Sequence, residues 1–336
     1  MNLEKRIDAF ARLGLSLLSE AQKASHLMKK AEENNPWFTQ KNIGLALEGI
    51  GFMLEGEKLS RWTSAYALSP STPKVIGVAM AGNIPLVGFH DYLSILISGH
   101  HAQVKLSSQD KVLMTFLHEL LVNIEPGFAS QVSLVDFLKG YDAAIATGSD
   151  NTGRYFSYYF KHIPHIIRKN RSSCAVLIGG ETEEELALLG HDVFSYFGLG
   201  CRNVSKLYIP EEYDLIPLLR NWEAFDWVMD HHKYANNHSY QSSIHLVNQK
   251  KYYDNGSILL IEDDRLVSPI AIVYYERYKD QNDLKQRLSR QSEKLQCIVS
   301  AKAWYQGSLA FGQAQKPEVW DYADGIDTLK FLSELN

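Results

Sequence analysis

The chain is short of the residues that staple a fold together. Its three cysteines, Cys174, Cys201 and Cys297, are odd in number and far apart, which argues against a disulfide framework. No C-x-x-C pair occurs, so a zinc site of the usual spacing is not expected, and no metal is assigned. Long hydrophobic runs are missing as well. The most apolar stretch, IPLVGFHDYLSILISG (84–99), is broken by His90 and Asp91 and falls short of an integral membrane span. The first residues carry charges among apolar positions at helical spacing and lack the uninterrupted apolar core of a signal peptide. Lys and Arg never gather into a run and the formal charge is −5, which speaks against a nucleic-acid partner. Neither a G-x-G-x-x-G fingerprint nor a Walker A loop is present. Together these absences lead to the expectation of a globular, cytoplasmic protein.

What is there is an alternating pattern. Residues 3–33 predict one long amphipathic helix, interrupted by NNPWFT (34–39), and a second helix follows from about 41 to 54. From Pro73 onward short Val- and Ile-rich runs alternate with helical segments. The runs are KVIGVAM, AQVKL, SQVSLVD, AAIAT, HIIR, CAVLI, SKLYIP, SILLIE, SPIAIVYYE and LQCIV. The helices between them fall near 88–99, 109–123, 151–161, 182–197, 212–232 and 280–293. Strands alternating with helices of this length imply parallel βαβ units and an α/β fold. The length suggests two domains, placed at 1–185 and 186–336, with a C-terminal segment that could return to the first.

Several segments have the composition of a site. In GLGCRNVSKLYIP (198–210), Cys201 stands between a helix and a strand behind Gly198 and Gly200, with Arg202 beside it. Glycines let the backbone approach a ligand, and a neighbouring cation favours a thiolate; a buried, inert cysteine is the competing reading. AMAGNIPLVGF (79–89) sets the Asn83 amide at the carboxyl end of a strand, where α/β sheets bind ligands. There it could donate to an oxyanion or simply cap the next helix. ATGSDNTGRYF (146–156) leads from a strand through Thr147, Gly148 and Ser149 into a helix start that suits a phosphate. QVKLSSQD (103–110) ends a strand on Lys105. His231, His232 and His238, and likewise His162 and His165, lie close in sequence but lack the spacing of a metal helix.

The order of these segments resembles the aldehyde dehydrogenase superfamily. GNIPL (82–86) is similar to that family's Asn-Phe-Pro-Leu element, which implies Asn83 as oxyanion donor. VKLSSQD resembles the segment whose lysine, here Lys105, holds the adenosine ribose. PGFASQVSLV followed by ATGS resembles the T-G-S turn, placing Thr147, Gly148 and Ser149 near the pyrophosphate. GLGCRNVSKLYIP resembles the stretch around the nucleophile and gives that role to Cys201. The resemblance is clearest over 74–210 and implies two Rossmann-like domains with mostly parallel sheets behind an N-terminal helical segment. Within the superfamily, GCRNVSKLYIP and KPEVWDYADGIDTLKFL (316–332) resemble the LuxC-type acyl-CoA reductases, which supply long-chain aldehyde in luminous bacteria.

That resemblance implies reduction of an acyl thioester, on coenzyme A or a carrier protein, to an aldehyde. The cofactor would be NADPH or NADH, with NADPH favoured. A homo-oligomer is compatible with it. Two departures sharpen the reading. Hydrolytic members carry a water-activating glutamate in an E-L-G-G segment; here IIRKNRSSCAVL puts Arg168 or Lys169 in its place. A cation cannot serve as general base, so exchange with a thiol is the better fit. The E-x-F-G-P element, whose glutamate holds the nicotinamide ribose, corresponds to DRLVSP (264–269), with Arg265 at that position and Asp264 one place off. Two alternatives stay open: an acyl-phosphate-type semialdehyde dehydrogenase, and a degenerate scaffold without catalysis.

Overall fold

The structure, a computed structural model, describes residues 1–148 and 150–335. It divides into two compact units, one made of the first 170 residues and the chain from Lys316 on, the other of Arg171–Gln315. The division falls at 170/171 and not at the expected 185/186. The reason is pairing: the strand Ser172–Val176 is hydrogen-bonded along both edges to strands of the second sheet.

The first unit opens with four helices, α1 (Leu3–Lys23), α2 (Ser25–Asn34), α3 (Gln40–Met53) and α4 (Gly56–Thr63). α1 starts where Asn2 accepts from the Lys5 N–H and buries Phe10, Leu13 and Leu17 along one face. Each such side chain contributes about 1.5–3 kcal/mol on removal from water. The single helix expected over 3–33 is in fact two, broken at Ala24. The break turns α2 so that Met28 and Ala31 face inward, a packing demand that local periodicity does not record. α4 had no counterpart in the sequence reading.

Then come β1 (Val75–Ala79), α5 (Phe89–Ser98), β2 (His101–Lys105), α6 (Lys111–Ile124), β3 (Val132–Leu134), β4 (Ala143–Thr147), α7 (Asp150–Phe160) and β5 (His165–Arg168). The sheet order is β3-β2-β1-β4-β5, parallel throughout. Its central strands β1 and β4 are buried on both faces, which explains their near-unbroken Val/Ile/Ala runs, while β2, β3 and β5 keep exposed positions. The strand order reverses between β1 and β4, which sets the loops after those strands at the point where open α/β sheets bind ligands.

The second unit holds β6 (Ser172–Val176), α8 (Glu183–Phe194), β7 (Val204–Pro210), α9 (Ile216–Asn221), α10 (His232–Val247), β8 (Tyr253–Asp254), β9 (Leu259–Glu262), β10 (Ile272–Tyr278), α11 (Gln281–Gln291), β11 (Leu295–Ser300) and β12 (Leu309–Ala310). Its sheet runs β12-β11-β6-β7-β10-β9-β8, parallel except for the β8–β9 pair. All ten strands expected from the sequence are present, with the two-residue β8 and β12 added. α10 went unread, because its low amphipathicity offers no periodic signal. Residues 316–335 pack with the first unit, where α12 (Thr328–Ser333) lies against α5.

Candidate active site

In the first unit the expected residues gather at the carboxyl edge of neighbouring strands. Asn83 is exposed on the loop after β1; Lys105 is the exposed last residue of β2; Thr147 ends β4 and Gly148 follows it, both half-buried. β1 stands between β2 and β4, so these three loops share one edge. Ser149 lies outside the described residues. Two features shape this edge. A Cβ at Gly82 would come within 2.6 Å of the Ser107 hydroxyl, so only glycine lets the loop lie this close. The Lys105 ammonium is 5.8 Å from the centre of the Phe137 ring, half-held by that face and still exposed enough to reach a ribose or phosphate.

The first unit also explains the departure at the glutamate position. Arg168 ends β5 and is buried. Its guanidinium donates to both Asp91 carboxylate oxygens, at 2.7 and 3.3 Å, to the Ala323 carbonyl at 2.6 Å and to the Thr328 hydroxyl at 2.7 Å. This is a structural cation joining β5, α5 and the C-terminal segment. The neighbouring Lys169 is exposed, and its main-chain N–H donates to Asp324 at 3.1 Å.

In the second unit Cys201 sits on the turn into β7, half-buried. The approach to it is conformationally costly. Tyr196, Phe197, Gly198 and Gly200 all take left-handed backbone angles, with φ of 53°, 57°, 79° and 97°. For tyrosine and phenylalanine that costs about 1–2 kcal/mol each. Burial offsets it: Phe197 is packed with its ring centre 4.4 Å from that of His231 and 5.8 Å from that of Trp227.

Hydrogen bonds then fix the turn. The Asn203 amide donates to the Val193 carbonyl at 2.7 Å, and the Ser173 hydroxyl donates to the Cys201 carbonyl at 3.0 Å. Arg202 reaches the Ala314 carbonyl at 3.4 Å, while Asp192 accepts from the Gly312 and Ala314 N–H groups at 2.7 and 3.0 Å. Ser173 also contacts Cys297 Sγ at 3.0 Å and accepts from the Cys297 N–H at 3.2 Å. It can do both because β6 shifts register here against each neighbour. Burial pushes the Cys174 thiol up, and the Cys297 thiol likewise, so neither is readily a thiolate.

Ser173, Asp192, Asn203 and Asp91 were missed from the sequence. Asn203 was legible in principle, two residues past Cys201; Asp192 and Asp91 carry no local signal. In the DRLVSP element, Arg265 folds back on Asp263 at 2.6 and 2.8 Å and lies over the Tyr274 ring. The histidines disperse. His231 caps α10, His238 pairs with Asp254 at 3.0 Å, and His165 contacts the Ile163 carbonyl. Among the described residues no group of His, Cys, Asp or Glu is placed to hold a metal, and no helix is long and apolar enough to cross a membrane.

No family model and no curated relative matches the chain. Solved structures do, and they define the class of fold: it is that of the aldehyde dehydrogenases, α/β with two Rossmann-like domains and mostly parallel sheets. Aldehyde dehydrogenase 21 of Physcomitrella patens, solved with the product succinate, superposes with a TM-score of 0.71 at 12% identity over 99% of this chain and 84% of that one. An aldehyde dehydrogenase of Mycobacterium tuberculosis complexed with NAD+ gives 0.64 at 12%, over 89% and 73%. The indole-3-acetaldehyde dehydrogenase of P. syringae, a mutant complexed with NAD+ and IAA, gives 0.65 at 12%, over 94% and 75%.

Proposed function

We propose that the protein is an acyl-CoA reductase that converts an acyl thioester to an aldehyde through a covalent adduct on Cys201, using NADPH or NADH, with NADPH favoured. The observation that carries the choice of reductase over hydrolytic dehydrogenase is Arg168. By the resemblance Arg168 or Lys169 stands where a water-activating carboxylate is expected, and the Arg168 guanidinium is engaged by Asp91, Ala323 and Thr328. It takes no proton from water, so an acyl-enzyme here survives to be exchanged with a thiol or reduced. Two solved structures of this fold are complexed with NAD+, which supports a nicotinamide cofactor, and we assign it to the loops after β1 and β4.

In this reading the Cys201 thiolate attacks the thioester carbonyl carbon, a new C–S bond forms, and coenzyme A leaves as thiolate. The Cys201 N–H and the Asn83 amide are assigned to the oxyanion, a contribution of about 10²–10³ in rate per donor. Ser173 and Asn203 hold the turn so that the thiol and its own N–H keep a fixed geometry. Lys105, Thr147 and Gly148 orient the dinucleotide. A bound nicotinamide supplies the hydride. Release of the aldehyde returns Cys201 to thiolate.

The test is direct. Purified protein is incubated with acyl-CoA thioesters from acetyl to palmitoyl and either reduced cofactor, following cofactor absorbance and aldehyde. Thioester-dependent oxidation that vanishes in Cys201→Ala, in a variant that stays folded, is the expected result. Activity surviving in that variant, or no oxidation together with no acyl group trapped on Cys201, refutes the reading.

A further inference from the structure

The loop that carries Asn83 rests on a buried carboxyl group. Asp110 stands at the N-cap of α6, where an aspartate ordinarily accepts from the helix's first N–H groups. Its side chain makes no such bond. It turns instead toward the loop after β1, where Oδ2 accepts from the Leu86 N–H at 2.7 Å. Leu86 has φ of 58°, a left-handed conformation unfavourable for a leucine that a specific partner must hold. At the other end of the loop, the Gly82 Cα faces Ser107 and Asp110, with space for no Cβ. Both ends of the 82–86 loop therefore bear on residues 107–110. Asp110 is 3% exposed, and its Oδ1 has no hydrogen-bond partner among the described residues.

We propose that Asp110 is a positioning residue: through Leu86 it clamps the 82–86 loop and so fixes the Asn83 amide. What the loop does rests on the reductase reading; the clamp itself does not. Burial pushes the Asp110 carboxyl up to about 8, opposed only by the bond from the Leu86 N–H. No ion pair to it occurs among the described residues, and the basic groups on the adjoining elements, Lys105 at the end of β2 and Lys111 at the start of α6, are both exposed. The groups that face it from the loop and from the 107–109 turn are uncharged: the Leu86 N–H, Gly82 and Ser107. The clamp thus holds as a neutral acid. Ionisation would draw water to a carboxylate that is half unsatisfied, and loosen the loop.

Two variants and two readouts test this. Asp110→Asn keeps the shape and removes the charge; Asp110→Leu removes the acceptor. By amide hydrogen exchange corrected for intrinsic rate, wild-type Leu86 should lose protection as pH rises through about 8. Asp110→Asn should keep its protection, and Asp110→Leu should lack it at every pH. In the thioester assay, wild-type kcat should fall over the same interval with KM little changed, the fall should disappear in Asp110→Asn, and Asp110→Leu should lose about tenfold or more in kcat. A Leu86 amide equally protected in Asp110→Leu overturns the proposal, as does an alkaline limb unchanged in Asp110→Asn. If the wild type shows no reductase activity, the reductase reading fails by itself, and the exchange measurement still decides the clamp.

Discussion

Replacing Arg168 by glutamate would, by analogy with the hydrolytic dehydrogenases, be the obvious way to install a water-activating base. The structure says it should damage the first unit instead. Arg168 spends its donors on two Asp91 oxygens, a carbonyl and a hydroxyl, and both charged partners are almost fully buried. A glutamate there would bury a second carboxylate beside Asp91 and leave the Ala323 carbonyl and Thr328 hydroxyl without their donor. Breaking a buried pair by removing one partner costs about 3–5 kcal/mol, and the like charge adds to it. The simpler Asp91→Ala isolates the first part, stranding the guanidinium. With a denaturant slope of about 2 kcal/mol per molar urea, the midpoint of the first unit's transition should fall by roughly 1.5–2.5 M. The assay is urea unfolding followed by far-UV circular dichroism and by a fluorescence probe in each unit, since two units need not unfold together. The double variant Arg168→Leu with Asp91→Leu should recover most of the loss, because an apolar pair of similar bulk carries no desolvation cost. A loss below about 1 kcal/mol for Asp91→Ala would refute the claim that this ion pair is structural. So would hydrolytic activity in a stable Arg168→Glu protein, and either would reopen the choice between reductase and dehydrogenase.

The hydrogen bonds around the site carry further expectations. Ser173→Ala leaves the Cys201 carbonyl and the Cys297 N–H without their side-chain partner; stability should drop by about 1–3 kcal/mol, and kcat should fall ten- to a hundredfold as the nucleophile's turn loosens. Equal rates in Ser173→Ala and wild type would remove Ser173 from the positioning scheme. Lys105→Met should raise the KM for the reduced cofactor about ten- to a hundredfold while sparing acylation of Cys201, measured by mass spectrometry without cofactor. A defect in acylation alone would contradict that role. The raised Asp110 makes stability pH-dependent in a defined direction. The unfolded chain ionises this carboxyl near the ordinary 3.8, the folded one only near 8, so its contribution is full at acid pH and is lost as pH rises through that window. Asp110→Asn should flatten this part of the stability profile between about pH 4 and 8 in thermal melts, and a parallel profile would show that the carboxyl is not held neutral.

How far the sequence carried can be seen residue by residue. The ten strands were legible because short Val- and Ile-rich runs alternate with helical segments, nearly unbroken where the strand is buried on both faces as in β1 and β4, and the glycines around Cys201 announced a turn that glycine makes easily. The aldehyde-dehydrogenase-like fold followed from the order of those segments. Whatever depends on partners distant along the chain was out of reach. The break at Ala24 comes from packing of α2, and the division at 170/171 from the sheet that β6 joins. Arg168 read as a departure from a motif, but its structural work depends on Asp91, 77 residues away, and Thr328, 160 away. Ser173 lies 28 residues from the carbonyl it holds, and Asp110 lies 24 from the amide it clamps. Local sequence thus determined the elements and the chemical types at their ends, because propensity and periodicity act over a few residues. Only the tertiary structure decided which side chains are buried together, because desolvation, which makes Arg168 a fixed cation and Asp110 a neutral acid, is a property of the surroundings and not of the residue.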